Sequence, residues 1–172
     1  MALLAITVLG HDRPGIIADV TATLAGRDAN VEDSSMTLLR GHFAWTLVVG
    51  TTASAADLAS DLAFLESDDL VVSVLPVPAD EQPAAGGGPS FVISVHGADR
   101  VGIVAAITGA IASYGGNITD LQTRLGGELY VVVAEVDFPA DVDMSTLTAA
   151  LKAVAETVGV DVAIQPADQD VL

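Results

Sequence analysis

Apolar and polar positions along this chain change their period every ten or so residues, and each change marks an element. Leu3 to Leu9 is a short apolar run that reads as a strand. After the stretch "GHDRPG", the apolar positions become Ile16, Ile17, Val20 and Leu24, a spacing that predicts one face of a helix. "VEDSSMTLL" and "FAWTLVVG" then predict two strands joined by a turn at Arg40-Gly41, a second helix is predicted over Ser54 to Leu65, and "LVVSVLPV" predicts a last strand.

The same order returns. Phe91 to Val95 predicts a strand, and Ile103, Val104, Ile107 and Ile111 predict a helical face, which Gly115 and Gly116 suit as a C-terminal cap. "ITDLQTRL" and "ELYVVVAEVDF" predict a hairpin turning at Gly126-Gly127. A helix over Met144 to Thr157 and a strand "VDVAIQ" finish the pattern. Gly10, Asp12, Arg13, Gly15 and Ile16 meet Gly97, Asp99, Arg100, Gly102 and Ile103 at a constant offset of 87. Without a gap, "NVED" at Asn30 to Asp33 meets "NITD" at Asn117 to Asp120. The chain is a duplication.

A β-α-β-β-α-β order with right-handed crossovers makes a four-stranded antiparallel sheet with both helices on one face. The expectation is therefore an α+β protein of two ferredoxin-like domains, over 1–78 and 91–166. "ADEQPAAGGGPS", residues 79–90, reads as a Pro/Gly-rich linker able to span roughly 40 Å. Residues 167–172 form an acidic tail. Each sheet keeps one face without helices, so the halves are expected to pair with each other or with a second copy of the chain.

Composition narrows the function. The 23 acidic side chains outnumber the 6 basic ones, giving a net charge of −17. Arg13, Arg27, Arg40, Arg100, Arg124 and Lys152 are scattered, whereas holding nucleic acid takes clustered cations. Direct nucleic-acid binding is not expected. There is no Cys, which excludes disulfides and thiolate chemistry. No apolar run approaches the ~20 residues that span a bilayer, and "MALLAITVLG" reads as a first strand, so a soluble cytoplasmic protein is expected. His11, His42 and His96 have no metal-ligand spacing, and no carboxylate pair or His-oriented nucleophile is apparent. No enzyme, metal or cofactor is expected. Phe43 and Trp45 fall on one face of their strand, in the core or, favoured because aromatics are scarce, at an interface.

The repeated turn carries the candidate chemistry. Asp12 stands just before a helix, where its carboxylate could accept from free backbone N–H groups, and Gly15 permits close approach. The electropositive helix start could take an α-carboxylate while Asp12 takes the ammonium. The plainer reading makes Asp12 and Asp99 caps, Gly15 and Gly102 packing residues, and Asn30 and Asn117 left-handed helix terminators.

Strand, "GHDRPGI", amphipathic helix and "NVED" within a βαββαβ unit resemble the ACT domain, an amino-acid-sensing module, once per half. The overall plan is similar to the tandem-ACT group that resembles the glycine cleavage system transcriptional repressor. That resemblance implies a non-catalytic regulator that binds a small, glycine- or serine-like amino acid and acts on a protein partner, either an enzyme or a transcription regulator. A ligand-free interaction module and an in-trans regulatory subunit of an amino-acid enzyme are the alternatives. In such domains the loop and the asparagine line a pocket between two domains. The implied ligand-binding residues are Gly10, His11, Asp12, Pro14, Gly15 and Ile16 with Asn117, and Gly97, Asp99, Gly102 and Ile103 with Asn30. The chain departs from the family pattern at Val101, where proline is common. It departs again at Gly10 and Gly97, where some binding members carry His, and at Asp12 and Asp99, where they carry Asn.

Overall fold

Alternation in the first strand, β1 (Ala2–His11), sends Leu4, Ile6 and Val8 to one face, where all three are buried. The computed structural model describes residues 1–78 and 88–167. It divides the chain into two units, Met1–Gln82 and Pro83–Leu172, each taken by itself below. Residues 79–87 of the expected linker and 168–172 of the expected tail lie outside the described residues, and Ser90, placed in the linker by the sequence, is the first residue of a strand.

In the first unit β1 is followed by α1 (Ile16–Ala25), β2 (Asn30–Leu39), β3 (His42–Thr51), α2 (Ala55–Leu62) with a 3₁₀ turn over Ala63–Leu65, and β4 (Leu70–Val77). The sheet order is β2-β3-β1-β4, with antiparallel neighbours throughout. Ile16, Val20 and Leu24 of α1 and Leu58 and Leu62 of α2 pack with Leu4, Ile6, Val8, Phe43, Trp45, Leu47 and Val49 in one core. Burying each such side chain stabilises by roughly 1.5–3 kcal/mol, so a core poor in aromatics is no handicap. Phe43 and Trp45 belong to this core, which corrects the expectation of an interface: their strand position pairs them with Gly10 and Val8, inside the sheet's helix-covered face. Ile17 departs from expectation too. At ~100° per residue it rotates off the line of Ile16, Val20 and Leu24 and is 44% exposed.

The second unit repeats the plan with β5 (Ser90–Ala98), α3 (Ile103–Ser113), β6 (Asn117–Gly126), β7 (Leu129–Asp137), α4 (Met144–Val158) and β8 (Val160–Pro166). Its sheet order is β6-β7-β5-β8, again antiparallel. Both units are therefore the ferredoxin-like sandwich that the sequence implies.

Both hairpins turn in two residues, at Arg40-Gly41 and at Gly127-Glu128. The second was expected one residue earlier, at Gly126-Gly127. Gly126 is the last residue of β6, paired with Leu129, and only Gly127 has positive φ, at 65°. Arg40 and Gly41 both have positive φ (51° and 85°), as a type I′ turn requires. The helix ends also correspond. After α3, Gly116 N–H donates to Ile111 O (3.1 Å) and Gly115 N–H to Ala112 O (3.0 Å), with Gly115 at φ 73°. After α1, Ala29 N–H donates to Leu24 O (3.0 Å) and Asp28 N–H to Ala25 O (3.2 Å), with Asp28 at φ 50°. Both are Schellman caps, one built on glycine and the other on aspartate.

Each strand that follows the first helix of its unit carries one extra residue, marked by a register shift between Val31 and Asp33 and between Ile118 and Asp120. Beyond the bulge, Met36 and Leu38 pair with Trp45 and Phe43 on the helix-covered side. Among the described residues no helix is long and apolar enough to cross a membrane.

Candidate functional site

β1 ends and α1 begins around residues 10 to 16, and the close fit of β4 decides how. Gly10 pairs with Leu70, and a methyl group built on Gly10 would collide with the Asp69 carbonyl and lie 2.6 Å from Leu70 Cα. That carbonyl accepts the His11 N–H at 2.7 Å. Gly10 therefore has a packing reason of its own. Gly97 stands in the same place against Val160, whose Cγ1 lies 2.8 Å from an added methyl.

From there the chain rises into the turn. Asp12 N–H donates to Gly41 O at 3.0 Å, tying the turn to the β2–β3 hairpin. Pro14 precedes Gly15, which is the residue at the N-cap of α1, with φ 98°. No side chain caps the helix. Gly102 does the same for α3, again at φ 98° with no side-chain cap. This corrects the plainer reading of the sequence: Asp12 and Asp99 are not caps, because a left-handed glycine three residues later occupies the cap position. The first-turn N–H groups of both helices are left without a side-chain acceptor, at the end where the helix field favours an anion.

In the first unit this helix start opens on a cleft of about 520 Å³. Asp12, Arg13, Pro14, Gly15, Ile16, Ile17 and Ala18 form one side, and Met36, Leu38 and Phe43 form the other. Asp12, Pro14, Gly15 and Ile16 are thus brought together at one cavity. Gly10 and His11 are not among its walls: His11 is exposed at the strand end, with its ring edge-on to His42 at 6.0 Å between centroids. Arg13 is half exposed, with Nη1 4.0 Å from Asp19 Oδ2.

Asn30 and Asn117 open β2 and β6 and are exposed. Neither is a left-handed terminator, since those positions belong to Asp28 and Gly115. Asn30 pairs with Gly50, which pairs with Leu3, so it stands at the opposite end of its own sheet from Gly10. Seven residues along a strand separate those ends by roughly 23 Å at ~3.3 Å each. Asn117, opposite Asp137 and hence Ser90, is as far from Asp99. Within its own unit neither asparagine reaches the turn.

Arg13, Ile17, Ala18, Phe43, Met36 and Leu38 also line the cleft and are not among the site residues that the sequence implies. The signal was there for the last two. They are apolar at alternate positions of the strand, each preceded by a hydroxyl residue, and they face the helix side only because the bulge shifts their phase.

In the second unit Gly97, Asp99, Gly102 and Ile103 hold the corresponding places, with Ile103 buried and Asp99 exposed. A second cleft of about 360 Å³ lies elsewhere, between α4 and β8, walled by Phe91, Met144, Thr148, Lys152, Val162, Ala163 and Ile164. Nothing in the repeat pattern announces it. Among the described residues no cluster of three or more His, Asp or Glu could hold a metal ion.

Known proteins resemble the chain in a consistent way. A family model described as ACT domain matches residues 2–73 and again 90–165. A UPF0237 protein of Methanopyrus kandleri is 40% identical over 78 residues, which cover 45% of this chain and 87% of that protein. The glycine cleavage system transcriptional repressor of Escherichia coli is 24% identical over 157 residues, covering 87% of this chain and 82% of the repressor. Among solved structures, an unknown protein from Galdieria sulphuraria superposes with a TM-score of 0.82 at 29% identity, over 97% of this chain and 99% of that one.

Proposed function

The chain belongs to the ACT-domain family, with one copy in each half, and on that premise we propose that it is a non-catalytic, cytoplasmic regulator that binds a small amino acid or related carboxylate and acts on a protein partner. One observation carries this reading: the uncapped start of α1, Asp12 and a cleft of about 520 Å³ coincide. The helix N–H groups suit an α-carboxylate and the Asp12 carboxylate suits an ammonium, so the two charges of a free amino acid each meet their complement. The turn residues Gly97, Asp99, Gly102 and Ile103 repeat the backbone of this turn in the second unit. Control then follows from linkage. A ligand that prefers one conformation or assembly of the protein shifts the population that the partner reads. With a net charge of −17, any effect on transcription passes through another protein.

A second reading rests on a different observation. Leu9, Val71 and Leu75 lie together on the helix-free face of the first sheet and are more than half exposed. A ligand-free module that pairs or docks through that face would explain them.

Thermal unfolding with each of the twenty amino acids separates the two. Ligand at 100 times its dissociation constant adds about 2.7 kcal/mol of stability, a shift of several degrees for units of this size. A selective shift supports sensing. Silence across the panel leaves the docking module.

A further inference from the structure

Arg13 and Arg100 occupy the same repeat position and are put to different uses. Arg13 lines the cleft, half exposed, with no contact closer than Asp19 at 4.0 Å among its ion pairs. Arg100 turns back onto its own unit. Its Nη1 donates to the Val158 carbonyl at 3.3 Å, and its guanidinium lies directly over Gly159. Val158 is the last residue of α4, so the cation sits on the electronegative end of that helix and occupies one of its free carbonyls.

The walls diverge in parallel. Ile17, Met36, Leu38 and Phe43 line the first cleft, whereas the corresponding residues are Val104, Thr123, Leu125 and Tyr130, two of which carry hydroxyls. Pro14 of the cleft corresponds to Val101, which stands fully exposed.

We propose that the two turns have divided their labour: the first unit's cleft takes amino acids with an aliphatic or aromatic side chain, and the second unit's turn is a structural clasp that binds none. This rests on the reading that the cleft takes an amino acid at all, and names which. Arg13 and the first-turn N–H groups of α1 take the carboxylate, and Asp12 takes the ammonium. The side chain then lies against Ile17, Met36, Leu38 and Phe43. A cavity of about 520 Å³ is within the range of small-molecule sites, roughly 300–1,000 Å³. Glycine or serine would leave the apolar wall wet. Each methylene removed from water against that wall is worth about fourfold in affinity, so a four-carbon side chain gains at least ~30-fold over glycine even when burial is incomplete.

Calorimetric titration of the full chain with L-leucine, L-phenylalanine, glycine and L-serine, repeated on Arg13→Gln and Arg100→Gln, decides it. The expected result is one leucine or phenylalanine per chain, bound at least ~30-fold tighter than glycine. Arg13→Gln weakens that binding tenfold or more with Trp45 emission unchanged, showing that the unit is folded. Arg100→Gln leaves affinity and stoichiometry alone and lowers the melting temperature of the second unit. Two ligands per chain, equal binding of glycine or serine, or loss of binding in Arg100→Gln but not Arg13→Gln overturns the division while keeping an amino-acid sensor. Absence of heat with all four amino acids removes the sensor reading as well.

Discussion

Strands β4 and β8 hold the same place beside the first strand of their sheets, and their outward faces have nothing in common. On the helix-free side of the first unit, Leu9, Val71 and Leu75 are 53%, 59% and 61% exposed. At the matching register positions the second unit has His96, Asp161 and Gln165, with His96 Nε2 3.8 Å from an Asp161 carboxylate oxygen. The inward faces barely differ: Ile6 and Val8 answer Ile93 and Val95, and Val20 and Leu24 answer Ile107 and Ile111, all buried. Burial holds a repeated sequence in place, because a change of even one methylene in a packed core is felt. Outward positions are free to diverge, so differences of function between the halves are written there. The chain also supplies a reporter for each half. Its one tryptophan, Trp45, is in the first unit, and its two tyrosines, Tyr114 and Tyr130, are in the second.

The largest expected difference lies at Gly10 and Gly97, the next-to-last residues of β1 and β5. Gly10→Ala should destabilise the first unit by about 3 kcal/mol, because the obstacle is the Asp69–Leu70 backbone, held by the bond to His11 N–H. Gly97→Ala should cost the second unit less, about 1–2 kcal/mol, since the nearest obstacle is a Val160 methyl group at 2.8 Å and the backbone Cα stands off at 3.1 Å. Urea unfolding followed by tryptophan and tyrosine fluorescence reads both. Equal costs would mean that β4 and β8 yield alike, and this contrast would be gone.

A smaller effect of opposite sign is expected at the helix ends. Asp28→Gly relieves a left-handed aspartate and should stabilise the first unit by about 1 kcal/mol. Gly115→Asp should destabilise the second unit by about 2 kcal/mol, because an added Cβ also comes within 3.0 Å of Pro139 Cγ. The same unfolding experiment tests the pair, and a neutral Asp28→Gly would show that the side chain compensates its own strain.

The smallest effect is one of pH. Hydrogen bonds from the Thr146 and Ser145 hydroxyls, then from their backbone N–H groups, hold the Asp143 carboxyl down at about 2, below its ordinary 3.8. The folded value is depressed, so the contribution of this cap to α4 is full above about pH 4 and disappears as pH falls through about 2. On α2, the Ser54 hydroxyl and backbone lower Asp57 in the same direction. Asp143→Asn should flatten the acid dependence of the tyrosine-detected transition and leave the tryptophan-detected one unchanged. A shift in both signals would mean that the cap does not act on its own unit alone.

Much of this was legible in the residues. Order, period and the 87-residue offset locate the eight strands and four α-helices of the described residues, because burial imposes alternation on strands and a three-to-four spacing on helices. The misplaced hairpin turn shows where that signal fades. Consecutive glycines at 126 and 127 look alike in sequence, and only pairing with Leu129 tells which one turns. Ile17 misleads for a similar reason, since an apolar wall facing a cleft and one facing a core are written with the same residues. The different roles of Arg13 and Arg100 could not be read at all: Val158, which receives the second arginine, is 58 residues away along the chain.

The extra residue in β2 and β6 has a further consequence. Glu32 and Thr119 stand at the same place in both halves, so the economical history has the insertion present in the ancestor before the gene doubled. The use of the turn arginine and the lining of the cavity differ between the halves, so at least one half changed in each after the doubling. Deleting Glu32 alone would turn the rest of its strand over, carrying Met36 and Leu38 away from the helices and leaving both helices without a codon changed.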